Sequence, residues 1–254
     1  MILQVNNLGF GYPNSPVLKD ISFFASKGDF MAIVGTNGVG KSTLLKNLTR
    51  ILKNQSGDIQ IQDKNICQFS NRILAQNIGY VPQSGQFAYV TVFDAVLLGR
   101  RPYINWEATQ HDLDIVQQIL EELEITEFAL RPVTCLSGGE AQKVAVARLL
   151  AQEPQILLFD EPTSNLDLKN QLEVMKLIKN IVEEKQVTAI VTMHDLNLAI
   201  RFANKFLMMK DGKIYAMGGL DIITTENIQA VYGISSDILY HGDIPIIVPL
   251  DTMQ

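Results

Sequence analysis

The sequence predicts an α/β protein: a parallel sheet covered by helices, an N-terminal antiparallel β lobe and an inserted helical lobe. Three observations carry this. The short apolar runs "FMAIVG", "PQILLFD" and "VTAIVTMH" read as buried strands, and strands alternating with helical patterns imply a parallel sheet covered on both faces. Residues 1–29 alternate short apolar runs with Asn, Gly and Pro, the pattern of short, partly antiparallel strands and turns. From about Gln83 to Gln152, buried β-runs give way to "FDAVLLG", "HDLDIVQQILEELEI" and "EAQKVAVARLLAQ", all helical in pattern.

The chain of 254 residues can bury a large core, and 47% hydrophobic against 19% charged residues is an ordinary globular balance that argues against disorder. A formal charge of -6 does not favour nucleic acid. Cys67 and Cys135 lie far apart without metal-ligand spacing and are expected to be small buried apolar side chains, compatible with a reducing cytosol. The start "MILQVNNLGFGYP" lacks the pattern of a secretory signal, and no stretch approaches the ~20 apolar residues that span a bilayer. Any membrane role is then peripheral, through a partner.

In chain order, the strand "FMAIVG" is followed by "KSTLLKNLTRIL", where Leu44, Leu48, Ile51 and Leu52 fall at helical spacing. "SGDIQIQD" alternates and adds a second β-rich patch. After the helical lobe come the strand "PQILLFD", the amphipathic helix "NQLEVMKLIKNIVEEK" and the strand "VTAIVTMH". The expected division is one domain over 1–254, with core and β lobe in 1–82 and 153–220, a helical lobe in 83–152 and a C-terminal extension in 221–254.

"GTNGVGKST", Gly35 to Thr43, matches G-x-x-x-x-G-K-[ST] between a strand and a helix, the context that motif needs. It predicts a P-loop NTPase core. Gly35, Gly38 and Gly40 free the backbone so that its N–H groups can wrap phosphate oxygens. Lys41 places a positive charge at the β- and γ-phosphates, and the hydroxyl of Ser42 can ligate Mg²⁺. Asn37 and Thr43 join these candidate nucleotide contacts.

"ILLFDEP" ends a buried strand in two adjacent carboxylates. Asp160 suits the Mg²⁺ shell and Glu161 can polarise the attacking water as general base. "VTMHDLN" ends another strand at His194, and open α/β sheets bind ligands at the carboxyl ends of their strands, so His194 is a candidate γ-phosphate residue. "LSGGEAQ", Leu136 to Gln142, starts a helix with the capping box S-x-x-E of Ser137 and Glu140. Gly138 and Gly139 in its first turn cost helix stability, yet admit a close approach to the main chain at an anion-favouring helix end.

The ordered set "GTNGVGKST", "LSGGE", "ILLFDEP", "MHD" resembles the ATP-binding subunits of ABC transporters over nearly the whole chain. The resemblance implies the ABC ATPase fold, ATP and Mg²⁺ as cofactors, and a head-to-tail dimer of two copies. In it Ser137, Gly138, Gly139 and Glu140 of one copy close over a nucleotide held by Lys41 of the other. Hydrolysis then opens a nucleotide-controlled switch. It further implies that Tyr12 in "GYP" stacks on adenine, that Gln83 in "YVPQ" senses Mg²⁺ and the attacking water, and that Ser164 to Asp167, "SNLD", crosses the dimer seam. Thr36, Glu140, Ala141 and Asn165 depart from a common proline, glutamine, arginine and alanine.

"TVFDAVLLGRRPY" and "HDLNLAIRFANK" look most like the importers of metal chelates (siderophores, haem, cobalamin) and, in some members, oxyanions. The first segment is where a membrane permease would dock; otherwise it is a solvated helix with Arg100 and Arg101 facing water. The implied partners are a second copy, integral membrane permease subunits and, indirectly, an external substrate-binding protein, with no nucleic acid. The implied location is the cytoplasmic face of the inner membrane. The alternatives are a soluble ABC ATPase outside transport, as in iron–sulfur assembly, and an efflux ATPase.

Overall fold

The computed structural model describes residues 1–83 and 89–252 and divides the chain into two compact units, Met1–Gln68 with Ile181–Gln254, and Phe69–Asn180. In the first unit, β1 (Leu3–Tyr12) pairs antiparallel with β2 (Ser15–Ala25) and with β4 (Ser56–Ile61), and the two-residue β5 (Lys64–Asn65) extends this β lobe. Burial alternates along β1, which puts Leu3, Val5, Leu8 and Phe10 on the core side.

β3 (Phe30–Val34) is buried at all five positions, as a strand covered on both faces must be. It runs parallel to β8 (Thr188–Thr192) and to β9 (Lys205–Lys210), and β10 (Lys213–Gly218) closes the edge antiparallel to β9. α1 (Lys41–Leu48) follows β3 and stops earlier than its apolar spacing suggests. The Thr49 hydroxyl donates back to the carbonyls of Leu45 and Lys46, Arg50 turns left-handed at φ 58, and Ile51 is left exposed.

In the second unit, α2 (Asn71–Asn77) leads to β6 (Ile78–Val81), which runs parallel to β7 (Ile156–Asp160). Between the strands lie α3 (Val92–Leu97), α4 (Gln110–Glu122) and α5 (Gly138–Ala151). The helical stretch read over 83–152 includes 84–88, which lie outside the described residues. α6 (Leu168–Lys185) contains the boundary between the two units.

Arg100, expected either at a docking surface or in water, is instead 2% exposed. Its Nε donates to Asp112 Oδ1 at 3.0 Å, and Nη1 donates to the carbonyl of Ala151 at 2.8 Å and to Glu153 Oε2 at 2.6 Å. The guanidinium lies 4.0 Å over the ring of Tyr103. A buried cation must be paired, and these groups pair it. Arg101 alone of the two faces solvent.

Neither cysteine is buried. Cys67 follows Ile66 in a single 3₁₀ turn and Cys135 ends the short turn ahead of the Ser137 cap; in each turn the inward position is taken by another side chain, Ile66 or Val133, which is buried.

The 221–254 region, mixed in sequence, forms α8 (Thr225–Tyr232) and a hairpin of β11 (Ile234–His241) and β12 (Ile244–Thr252). Thr224 caps α8, Ile228 and Val231 bury it, and Gly233 ends it at φ 70. α7 (Leu196–Phe202) holds the hairpin through Asn197, which donates to the carbonyl of Ile247 and accepts from its N–H.

Candidate functional site

The sequence-selected residues fall into two groups, one in each compact unit. In the first, the chain leaves β3 and turns through "GTNGVG" into α1. Gly35, Gly38 and Gly40 all have positive φ, of 147, 78 and 109. At two of them glycine is also required for space. A Cβ on Gly35 would run into the carbonyl of Met209, and one on Gly40 would lie 2.9 Å from Leu18 Cδ2 and 3.1 Å from Val17 Cγ1. The loop is therefore wrapped tightly between β2 and β9, while Thr36, Asn37 and Gly38 are exposed at its tip.

Lys41 is 5% exposed and its ammonium donates to the carbonyls of Gly35 at 2.7 Å and Thr36 at 3.0 Å. A buried cation at a helix N-terminus, beneath an exposed loop tip, suits an anion. Ser42 and Thr43 follow in the first turn, half-buried, and Asn47 donates to the Thr43 carbonyl at 2.8 Å. A cavity of about 360 Å³ opens beside the loop, its walls including Val17, Lys19, Thr36, Gly38, Asp211 and Gly212. That volume lies in the range of small-ligand sites. Sequence reading missed Lys19 and Asp211, because a lone charge in a β lobe carries no motif.

Tyr12 ends β1, 47% exposed, and its ring meets Phe10 edge-on with centroids 5.1 Å apart. That contact fixes the ring and leaves a face open for stacking. His194 emerges from β8 two residues past Thr192, which pairs with Ile33, and the Met193 N–H donates to the Ile33 carbonyl at 3.0 Å. His194 thus leaves the sheet beside the strand that feeds the phosphate loop, and Asp195 caps α7 after it.

In the second group, β7 is buried at every position and delivers Asp160, 3% exposed, at its end. Tyr80 on β6 donates its hydroxyl to Asp160 Oδ2 at 3.2 Å. Burial, then the adjacent Asp160 carboxylate, pushes the Tyr80 phenol well above its ordinary value, which keeps it a donor. Glu161 adopts φ 50, a left-handed conformation that costs a non-glycine residue energy and that turns its side chain out of the strand alternation. Gln83 Nε2 donates to Glu161 Oε2 at 2.5 Å, so the expected glutamine and the expected base meet directly. The Ser164 N–H and hydroxyl both donate to the Glu161 carbonyl and hold the turn.

The N-terminus of α5 carries the full capping box. Glu140 N–H donates to Ser137 Oγ, and the Ser137 N–H donates to Glu140 Oε2 at 2.8 Å. The Ser137 hydroxyl, then its N–H, holds the Glu140 carboxyl below the usual carboxylate range. The two glycines have different reasons to be bare. Gly139 is buried, and a Cβ there would run into the side-chain amide of Asn170, whose own Nδ2 donates to Asp167 Oδ2 at 3.0 Å. Gly138 is exposed, and a Cβ there would meet only Leu166 Cδ2 at 3.3 Å. Packing accounts for Gly139; at Gly138 the bare backbone faces solvent.

The fit to Mg²⁺ rests on donor chemistry. In the first unit Ser42 offers a hydroxyl and in the second Asp160 a carboxylate, each a hard oxygen by itself, and no cluster of three or more His, Cys, Asp or Glu side chains able to hold a metal occurs among the described residues. Hard oxygens of these types, alongside substrate phosphates and water, are the ligands Mg²⁺ commonly takes.

Residues 18–164 match the ABC transporter family. An ABC transporter ATP-binding protein of Methanocaldococcus jannaschii is 51% identical over 250 residues, covering 98% of each chain. The iron(3+)-hydroxamate import ATP-binding protein FhuC of Bacillus subtilis is 34% identical over 93% of this chain and 90% of its own. Among solved structures, an inward-facing metal-chelate-type ABC transporter superimposes with a TM-score of 0.86 at 34% identity, covering 98% of both chains. The chain belongs to the ABC transporter family, as one of its ATP-binding, ATP-hydrolysing proteins.

Proposed function

We propose that this ATPase is the motor subunit of an importer that takes up a metal chelate of the siderophore class through a membrane permease. It works as a head-to-tail pair at the cytoplasmic face of the membrane, with an external substrate-binding protein delivering cargo. The observation that carries the two-copy reading is the signature end of α5: a capped helix N-terminus with Ser137 and Gly138 exposed. Exposed N–H groups and a serine hydroxyl suit a phosphate arriving from outside the molecule. The FhuC likeness and the metal-chelate neighbour support the cargo class.

Each residue then has a role of its own. The loop amides from Gly35 to Gly40 and the Lys41 ammonium hold the β- and γ-phosphates, with Asn37 and Thr43 beside them. Tyr12 stacks on adenine. Ser42 and Asp160 would hold Mg²⁺, which supplies charge neutralisation on the phosphates, and Gln83 reports on that shell. Glu161 takes a proton from the attacking water, and His194 steadies the γ-phosphate. Ser137, Gly138, Gly139 and Glu140 belong to the partner's nucleotide. The stretch 83–152 serves as the helical lobe of the single ABC domain.

Uptake tests the cargo. Cells lacking this gene should lose accumulation of iron-55 hydroxamate chelates, and regain it with the wild-type chain but not with Glu161→Gln. Undiminished chelate uptake in the deletion strain contradicts the reading.

A further inference from the structure

The C-terminal hairpin has one face packed and one face open. Inward, Ile247 is buried at 4% exposure and Ser236 at 7%, and Asn197 clamps the strand through the Ile247 backbone. Outward, successive same-face positions of β11 are Asp237, Leu239 and His241, paired with Val248, Ile246 and Ile244 of β12. Leu239 is 58% exposed, Ile244 47% and Ile246 39%. A two-stranded ribbon with such a face is marginal in water on its own.

We propose that this open face is a contact between two copies of the chain, formed without nucleotide. The face is complementary to itself. A two-fold axis lying between two stacked hairpins, across the strands at Leu239, reverses the strand direction of the second copy. It sets Leu239 on Leu239 and Ile246 on Ile246, and Val248 on Ile244. It also sets Asp237 of each copy opposite His241 of the other, so a carboxylate can accept from an imidazole N–H on each side of the axis. Two sheets packed this way stand about 10 Å apart with their inner side chains interdigitated, and an isologous contact is the usual way for a chain to pair with itself. An anionic lipid surface does not suit the patch, because no Lys or Arg occurs from Ile214 to Gln254 while Asp237, Asp243 and Asp251 do.

The inference deepens the two-copy reading. α7, which holds the hairpin, begins just after His194, so the contact adjoins the nucleotide elements on the first unit. It would keep two cassettes together between ATP cycles.

Sedimentation equilibrium of the full chain without nucleotide tests it. Wild type should dimerise. Leu239→Asp, at an exposed position that leaves the fold and ATP binding intact, should raise the dimer dissociation constant about tenfold or more, and His241→Asp should do likewise. The double exchange Asp237→His with His241→Asp should restore pairing. A wild type that is monomeric without nucleotide overturns the proposal, including the case in which Leu239→Asp instead costs association with the permease. Equal association by Leu239→Asp and wild type also overturns it. If nucleotide-free pairing persists while Glu161→Gln gains nothing from ATP, the sandwich reading falls and the hairpin contact stands.

Discussion

The Lys41 ammonium rests on the Gly35 carbonyl at 2.7 Å, the cation of the phosphate loop held by the loop's own first glycine. A triphosphate must draw that ammonium onto its oxygens, and the carbonyl contact keeps the lysine aimed into the loop until then. Lys41→Met removes the charge and should weaken ATP binding roughly 10- to 100-fold, the worth of one charge-assisted hydrogen-bond set. Calorimetric titration checks it; unchanged affinity contradicts the assignment.

Glu161 meets Gln83 through its carboxylate and is held left-handed at the end of β7. Glu161→Gln keeps the shape and removes the carboxylate proposed as the base. Steady-state turnover should fall about 10²- to 10⁴-fold, with ATP affinity within a few-fold of wild type. Turnover at the wild-type rate would sink the role of Glu161.

The glycine pair separates packing from function. Gly139→Ala pushes a methyl into Asn170 and should destabilise the fold by about 1–3 kcal/mol. Gly138→Ala should be neutral or stabilising by up to about 1 kcal/mol, since it removes a helix glycine from an exposed turn. Thermal unfolding of the two variants, expected to move in opposite directions or by clearly different amounts, reads this out.

Arg100 tests the lock inside the second unit. Arg100→Met strands the buried Asp112 carboxylate and should cost about 3–5 kcal/mol, whereas Glu153→Gln, at a half-exposed partner, should cost about 1 kcal/mol or less. Burial alone would raise the Asp112 carboxyl. The N–H and hydroxyl of Thr109 and then Arg100 outweigh it and hold the group below its ordinary value. Ionised Asp112 therefore stabilises the fold at pH above the ordinary carboxylate value of 3.8, and that contribution drains away as pH falls through the lower, folded-state value. Urea denaturation as a function of pH should show a flatter acid limb for Asp112→Asn.

Much of this was legible in the sequence because local chemistry decided it. The loop "GTNGVGKST" carries its own constraints on φ, and the Ser137–Glu140 box is a four-residue device that needs no tertiary information. The short all-apolar runs "FMAIV" and "ILLF", too short for a helix and bounded by turn residues, read as the buried strands they form. What escaped was decided by distant partners. Arg100 reads as a surface cation until Asp112 and Glu153 are brought to it. Gly139 reads as bare for a ligand alone, and the packing of Asn170 where its Cβ would lie is a second reason the sequence did not show. The cysteines read as buried because residue type says nothing of whether a turn is covered. The spacing of Ile51 extended α1 on paper, but the Thr49 hydroxyl and a left-handed Arg50 ended it. The hairpin of 234–252 alternates too irregularly, through its prolines and the register shift near Ser236, to announce itself.

The most direct test of the divided nucleotide site uses Glu161→Gln combined with Leu239→Asp, which blocks hydrolysis and removes the hairpin contact, in sedimentation velocity with and without ATP. A monomer without nucleotide that becomes a dimer with ATP, and fails to do so when Gly138→Leu is added, is the predicted result. A protein that binds ATP yet sediments as a monomer at every concentration contradicts it.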